Sequence, residues 1–505
     1  MITQNMLIAL TRHLVTVITI FSLQFTSSAI GEGDVSHDSA LSEIMSRVTS
    51  TTLSNGMRVV WYQKPDSNVF SGAVVVRVGG VDEPQGYTGI AHLLEHMAFK
   101  GTPTIGTRDY DKEKKLLAEL EQLQQKKIKR GPLDASEEVE LKRINDELQK
   151  VWIADDFSLR YDMEGAVGTN ASTAKELTKY FNSMPKDAFE FWCYMESSRL
   201  LRPVMRQFYK EKDVVLEERR MRFEDSVDGK LYEKLIATAF NEHPYHQPVI
   251  GYERDLAKLT ATDLSEFHKK HYVPKKIVIG IVGGIDPKVG IPLVEKYFGQ
   301  MPAREAPLED FPVEPPQEGE RIVTLEKGDS PQAYVGYHKP AYPHPDDVPL
   351  MLASEMLVGS QTSPIRKKLI LEDKKALDIS YFDVPGVMFP GLMTFGLTPA
   401  PGVSIDELIT LFTKELSDDV DHGLNEQLLT EAKKRISVSF LSSFKDSSEL
   451  AMSLASSELL YGSWRENIKW YDRVQQVTLD QVRGAAKKYF ITSERTVAKS
   501  LPAKK

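Results

Sequence analysis

Two imidazoles and a carboxylate stand together in His92-Leu93-Leu94-Glu95-His96. On a helix, positions i and i+4 share one face, so both rings reach one metal ion while Glu95 stays beside the water that the ion would activate. Neutral imidazoles suit Zn2+, and a carboxylate so placed serves as general base. The order inverts the commoner His-Glu-x-x-His arrangement without changing the chemistry. A helix with incidental polar residues is the competing reading. The surroundings favour the metal site: Gly79-Gly80, Gly86 and Gly89 lead into an apolar-patterned helix, and Phe99-Lys100-Gly101-Thr102 closes it with a glycine stop.

The longer run Gly79-Gly80-Val81-Asp82-Glu83-Pro84 through Gly89-Ile90-Ala91-His92-Leu93-Leu94-Glu95-His96-Met97-Ala98-Phe99-Lys100-Gly101-Thr102 resembles the signature of the pitrilysin/insulysin family, in the shorter branch typified by mitochondrial processing peptidase. Leu53-Ser54-Asn55-Gly56-Met57-Arg58-Val59-Val60 is similar to its first strand pair, and His271-Tyr272-Val273-Pro274 with Val282-Gly283-Gly284 to the last strand of a half. Zinc needs a third protein ligand, with the fourth position left for water. The resemblance implies that Glu218, in Lys212-Asp213-Val214-Val215-Leu216-Glu217-Glu218, is that ligand. Glu217 lies about 100° round the helix and reads as a solvated charge. Glu211, two turns before Glu218, resembles the acidic residue that orients a zinc-binding His by a hydrogen bond.

By the same resemblance, the stretch from Gly165 to Thr173, followed by Thr178 to Asn182, is an exposed edge strand. Unpaired N–H and C=O groups on such an edge can pair with an extended peptide, which gives Asn170 and Ala171 a substrate-binding role. Ordinary turn chemistry is the alternative for Asn170.

The gap between His96 and Glu218 is longer than the family usually shows, and the excess falls at residues 109–155. Leu116, Leu117, Leu120, Leu123 and Ile128 recur at helical spacing; Gly131-Pro132-Leu133-Asp134 reads as a turn; Ser136 is placed to cap a second helix carrying Val139, Leu141, Ile144, Leu148 and Val151. The pattern predicts an inserted helical hairpin, either a spacer or a docking arm beside the cleft. Insertion costs little, because loop-closure entropy grows slowly with length.

With 505 residues, 41% of them hydrophobic, the chain can bury at least two sizeable cores. A net charge of −9 with no sustained basic run argues against nucleic acid as the main partner. The lone Cys193 excludes an internal disulfide and reads as a buried apolar residue. Arg12-His13, the apolar run 14–25 and Ser27-Ser28-Ala29 predict an export signal at 1–29, hence a periplasmic or secreted protein. The run is too short for a stable membrane span. Residues 48–302 form a first, zinc-binding half, the proline-rich, acidic stretch 303–320 a semi-rigid linker, and 321–505 a second half that repeats the plan without a metal-ligand cluster. Periodicity alone indicates mixed α and β; the resemblance implies an α+β fold of two related sandwiches, each a mostly antiparallel sheet with helices on one face.

Active family members commonly carry, in the second half, an Arg and a Tyr about seven residues later that stabilise the oxyanion. Leu371 and Asp378 stand at those positions here, with Arg366 and Tyr381 nearby but out of register. The expected function is a zinc endopeptidase acting on peptides or unfolded segments, paired with a related zinc-free chain that supplies Arg and Tyr, or with a copy of itself. The alternative is a non-catalytic or chaperone-like peptide-binding subunit.

Overall fold

The computed structural model describes residues 45–502 apart from 309 and 329; the expected export segment lies outside them. The first half contains strands β1 (Val48–Thr52), β2 (Arg58–Gln63), β3 (Val69–Val76), β4 (Val167–Thr173), β5 (Thr178–Pro185) and β6 (Ile277–Gly283), in the order β1-β2-β6-β3-β5-β4. The second contains β7 (Arg321–Glu326), β8 (Ala333–Lys339), β9 (Ala376–Val384), β10 (Gly391–Pro399) and β11 (Arg495–Leu501), in the order β7-β11-β8-β10-β9. Without β1 the two orders coincide strand for strand. Each sheet has a single parallel pair, β2 with β6 and β7 with β11, and is otherwise antiparallel. The fold is α+β, and the second half repeats the first.

Nine helices position the features discussed below: α1 (Ile90–Met97), α2 (Tyr110–Arg130), α3 (Ala135–Val151), α4 (Phe208–Arg219), α5 (Val227–Ala239), α6 (Ala261–His271), α7 (Asp347–Val358), α8 (Glu426–Ser443) and α9 (Ser447–Tyr461). β3 and β6 read as near-continuous apolar runs, VFSGAVVV and IVIGIVG, rather than as alternating strands. Such runs require burial on both faces. The helices of each half cover one face of its sheet, and the other face is covered by a helix from the opposite half. Leu450, Ala451, Leu454 and Ala455 of α9 pack on Val60, Ala73, Val75, Val278 and Val282, while Leu231, Leu235 and Ala239 of α5 pack on Tyr334, Leu392 and Ala498. This reciprocal exchange welds the halves together. The linker is tied down as well, since the Glu314 carboxylate accepts hydrogen bonds from the backbone N–H groups of Asn241, Glu242 and His243 at 2.9–3.0 Å.

At Gly280 the helix α9 comes so close that a Cβ would stand 2.2 Å from the Ala451 carbonyl oxygen. Gly280→Val is therefore expected to destabilise the protein by about 2 kcal/mol or more, the scale of core overpacking. An unchanged denaturation midpoint would show that α9 does not seat on this sheet.

The insertion is a helical hairpin. Leu116, Leu120 and Leu123 of α2 bury against Ile144, Leu148 and Val151 of α3. Two details differ from the sequence reading. The cap of α3 is Asp134 rather than Ser136: its Oδ1 accepts from the N–H groups of Ser136 and Glu137 at 3.0 Å, and the Glu137 carboxylate accepts in return from the Asp134 N–H at 3.1 Å. Val139 is exposed, because it lies five residues before Ile144 and so about 140° off the seam.

Candidate metal centre and active site

Helix α1 starts at Gly89, whose φ of 88° is left-handed and whose missing Cβ would fall 2.6 Å from the Ile250 carbonyl oxygen. The buried Glu83 carboxylate accepts from the Gly89 and Ala91 N–H groups at 2.9 and 3.0 Å, satisfying donors that the first helical turn leaves free. Burial pushes this carboxyl up to about 8, against the pull of those two N–H groups. Glu83 was not singled out in the sequence; its signal is an acid six residues ahead of a helix-initiating glycine. At the other end α1 closes on Ala98, before Gly101, which turns the chain three residues later with a φ of 94°.

His92 and His96 project from one face of α1, ring centroids 4.7 Å apart. Helix α4 brings Glu218 opposite them. Its Oε2 lies 3.9 Å from His92 Nε2 and 3.5 Å from His96 Nε2, and the three ligand atoms all lie within 4.8 Å of one another. Among the described residues no other such group of His, Cys, Asp and Glu occurs. Separations of this size suit one small ion bound at roughly 2.0–2.2 Å from each donor, and two imidazoles with one carboxylate are a donor set that zinc accepts.

The electrostatics sort the two rings. Burial holds His92 down to about 4, so the ring is neutral near pH 7, and its buried Nδ1 has no hydrogen-bond partner among the described residues. Burial also works against a charge on His96, but the Glu211 and Glu218 carboxylates outweigh it and raise this ring to about 10. Glu218 is held down to about 2: burial opposes ionisation, and His92, His96 and Arg222 more than offset it. A metal cation entering the site competes with the proton on His96.

Glu211, also on α4, accepts from His96 Nδ1 at 2.9 Å, leaving Nε2 directed at Glu218, while its second oxygen pairs with Lys100 at 2.5 Å. Arg222, on the π-helical turn Arg220–Glu224 that follows α4, holds Glu218 Oε1 at 2.9 Å and so leaves Oε2 facing the rings. Glu217 points away and pairs with exposed Arg220. Lys100 and Arg222 had no distinct signal in the sequence, being two cations among many.

Glu95 is buried beside the histidines, and burial raises its pKa. The Thr173 hydroxyl donates to Glu95 Oε2 at 2.5 Å. Thr173 ends β4, the outermost strand of the first sheet, so the carboxylate sits at the end of an open edge. Asn170 and Ala171 lie half-buried on β4, opposite Phe181 and Tyr180 of β5, and the Asn170 side-chain oxygen Oδ1 accepts from the Ala171 N–H at 2.9 Å.

In the second half, α7 and α8 stand where α1 and α4 stand in the first. Between them is an ion pair: Glu355 on α7 meets Arg435 on α8 at 2.5 Å and accepts from the Tyr381 hydroxyl at 2.8 Å. Leu371 is exposed, and Asp378 pairs with Arg366 at 3.0 Å.

The description of the insulinase domain of peptidase family M16 matches residues 58–124, and that of the peptidase M16 inactive domain matches residues 258–436. The chain belongs to the M16, insulinase-like peptidase family. Curated relatives are similar along most of the chain. The zinc protease PqqE of Helicobacter pylori is 29% identical over 335 residues, 65% of this chain and 64% of that one. The uncharacterized zinc protease ML0855 of Mycobacterium leprae is 26% identical over 452 residues, 87% and 88% of the two chains. Among solved structures, a protease from Helicobacter pylori superposes with a TM-score of 0.75 at 23% identity, covering 90% of this chain and 99% of that one. This M16 chain thus shares its two-sandwich fold with that solved protease and has relatives named as zinc proteases.

Proposed function

We propose that the chain is a zinc-dependent endopeptidase that cleaves peptides or unfolded polypeptide segments, with His92, His96 and Glu218 holding Zn2+ and Glu95 as general base. The observation that carries this reading is the convergence of the three donor atoms within 4.8 Å next to a buried carboxylate at the end of an open strand edge. Zinc, when bound, supplies a Lewis acid that polarises a carbonyl and makes water a competent nucleophile near neutral pH. The remaining work falls to the protein. Glu211 keeps the His96 Nδ1 proton occupied, so Nε2 offers its lone pair to the ion. Arg222 orients Glu218 from behind. The peptide adds to β4 as an extended strand through main-chain hydrogen bonds, with Asn170 and Ala171 along it, so selection reads backbone more than sequence. Glu95 takes the proton of the attacking water and returns one to the leaving nitrogen.

Metal analysis tests the site. The purified chain is expected to hold one zinc, and His96→Ala to lose it, because removing one of three protein ligands leaves only a two-point site. Stoichiometric zinc at unchanged affinity in that variant would overturn the ligand set.

A second reading has specific support. Leu371 and Asp378 offer no cationic or hydroxyl donor where active relatives are expected to carry Arg and Tyr, and the match over residues 258–436 is to an inactive domain. The chain then works as the zinc-bearing member of a pair with a related zinc-free chain, or, if turnover is absent in every pairing, as a peptide-binding subunit. Export to the periplasm or exterior, read from residues 1–29, is part of the proposal.

A further inference from the structure

The inserted hairpin is bolted to the body at two levels, and both bolts lead to the metal centre. At its base, Glu113 of α2 is fully buried and forms a two-point pair with Arg206, Oε1 to Nε at 2.5 Å and Oε2 to Nη2 at 2.8 Å. Trp152, at the end of α3, donates its indole N–H to the same carboxylate at 2.7 Å. The buried Arg206 guanidinium spends its other N–H groups on the carbonyls of Lys100, Thr102 and Ile105, the loop that leaves the histidine-bearing helix. That loop carries the Lys100 side chain that grips Glu211. Arg206 also immediately precedes Gln207, whose left-handed φ of 60° turns the chain into α4. A non-glycine residue keeps such a conformation only when its surroundings enforce it.

Just over two turns further along α2, Glu121 also meets the body. One oxygen accepts from the Tyr209 hydroxyl at 2.7 Å, and the other from the Thr262 N–H at 3.0 Å and hydroxyl at 2.6 Å. Tyr209 lies on α4 two residues before Glu211, and Thr262 lies in the first turn of α6. Gln125 adds a last contact to Thr262 at 3.2 Å.

We propose that the hairpin is a splint for the metal centre: through Glu113–Arg206 and Glu121–Tyr209 it sets the positions of α4 and of the loop after α1, and thereby of Glu211, Glu218 and His96. Glu113, Arg206, Glu121 and Tyr209 are positioning residues. This rests on the zinc reading above. The distal part of the hairpin, past Gln125, is dispensable for that role.

The test measures zinc affinity by competition with a chelating dye, together with thermal stability of the zinc-free full-length chain. Glu113→Gln is expected to weaken zinc binding about tenfold, the scale seen when groups behind metal ligands are changed. Tyr209→Phe, which removes one hydroxyl and keeps the fold even where Glu113→Gln does not, should weaken it about threefold. Replacing residues 127–137 by a short Gly-Ser turn should leave affinity within about twofold. Lower thermal stability with unchanged zinc affinity in both point variants would overturn the splint and leave a spacer. So would an equal loss of affinity on trimming the tip. A wild-type chain that binds no zinc overturns the metal reading itself, a result distinct from either.

Discussion

Glu95→Gln is expected to retain one zinc per chain while hydrolysing peptides at least ~100-fold more slowly, the usual scale for a lost general base. The amide is nearly isosteric with the carboxylate and its oxygen can still accept from Thr173, so the helix and the three proposed ligands keep their places. What it cannot do is take a proton from water. Peptide binding should survive, because the main chain of β4 is untouched. Metal analysis, a fluorogenic peptide assay and a binding measurement on the same preparation separate these terms. Undiminished turnover would move the base elsewhere; loss of zinc together with activity would make Glu95 a structural residue.

The second large effect concerns the partner. A developing oxyanion needs hydrogen-bond donors, and one missing donor costs ~100-fold or more in rate. Leu371 has none, and an ionised Asp378 accepts only. The neighbouring candidates are engaged: Arg366 with Asp378 at 3.0 Å, and the Tyr381 hydroxyl with Glu355 at 2.8 Å. The isolated chain should therefore bind zinc yet cleave peptides poorly, and co-expression with a related chain lacking the zinc residues but carrying Arg and Tyr should raise turnover by ~100-fold or more. Robust cleavage by homogeneous chain, with no partner in the preparation, would sink this expectation in favour of a self-sufficient monomer or homodimer. Because α5 and α9 are exchanged between the halves, movement that admits substrate is expected between chains rather than within one.

What the sequence determined by itself is local. Helical period alone sets His92 and His96 on one face with Glu95 beside them, since that relation depends only on residues within a single turn or so. The same period exposes the hairpin seam at Leu116, Leu120, Leu123, Ile144, Leu148 and Val151, while Val139 shows the limit of counting apolar residues without their angles. Choosing Glu218 over Glu217 needed the family pattern, because both are acids on one helix and only the face turned toward α1 distinguishes them. The tertiary structure decided the rest. Glu83 at the head of α1, Thr173 on Glu95, Arg222 behind Glu218 and Arg206 beneath the hairpin are contacts whose partners come from separate elements. The exchange of α5 and α9 is likewise invisible along the chain. A continuous apolar strand announces that both its faces are buried, but the identity of the covering helix is set by packing, which follows from the shape of the whole fold and not from any repeat in the residues.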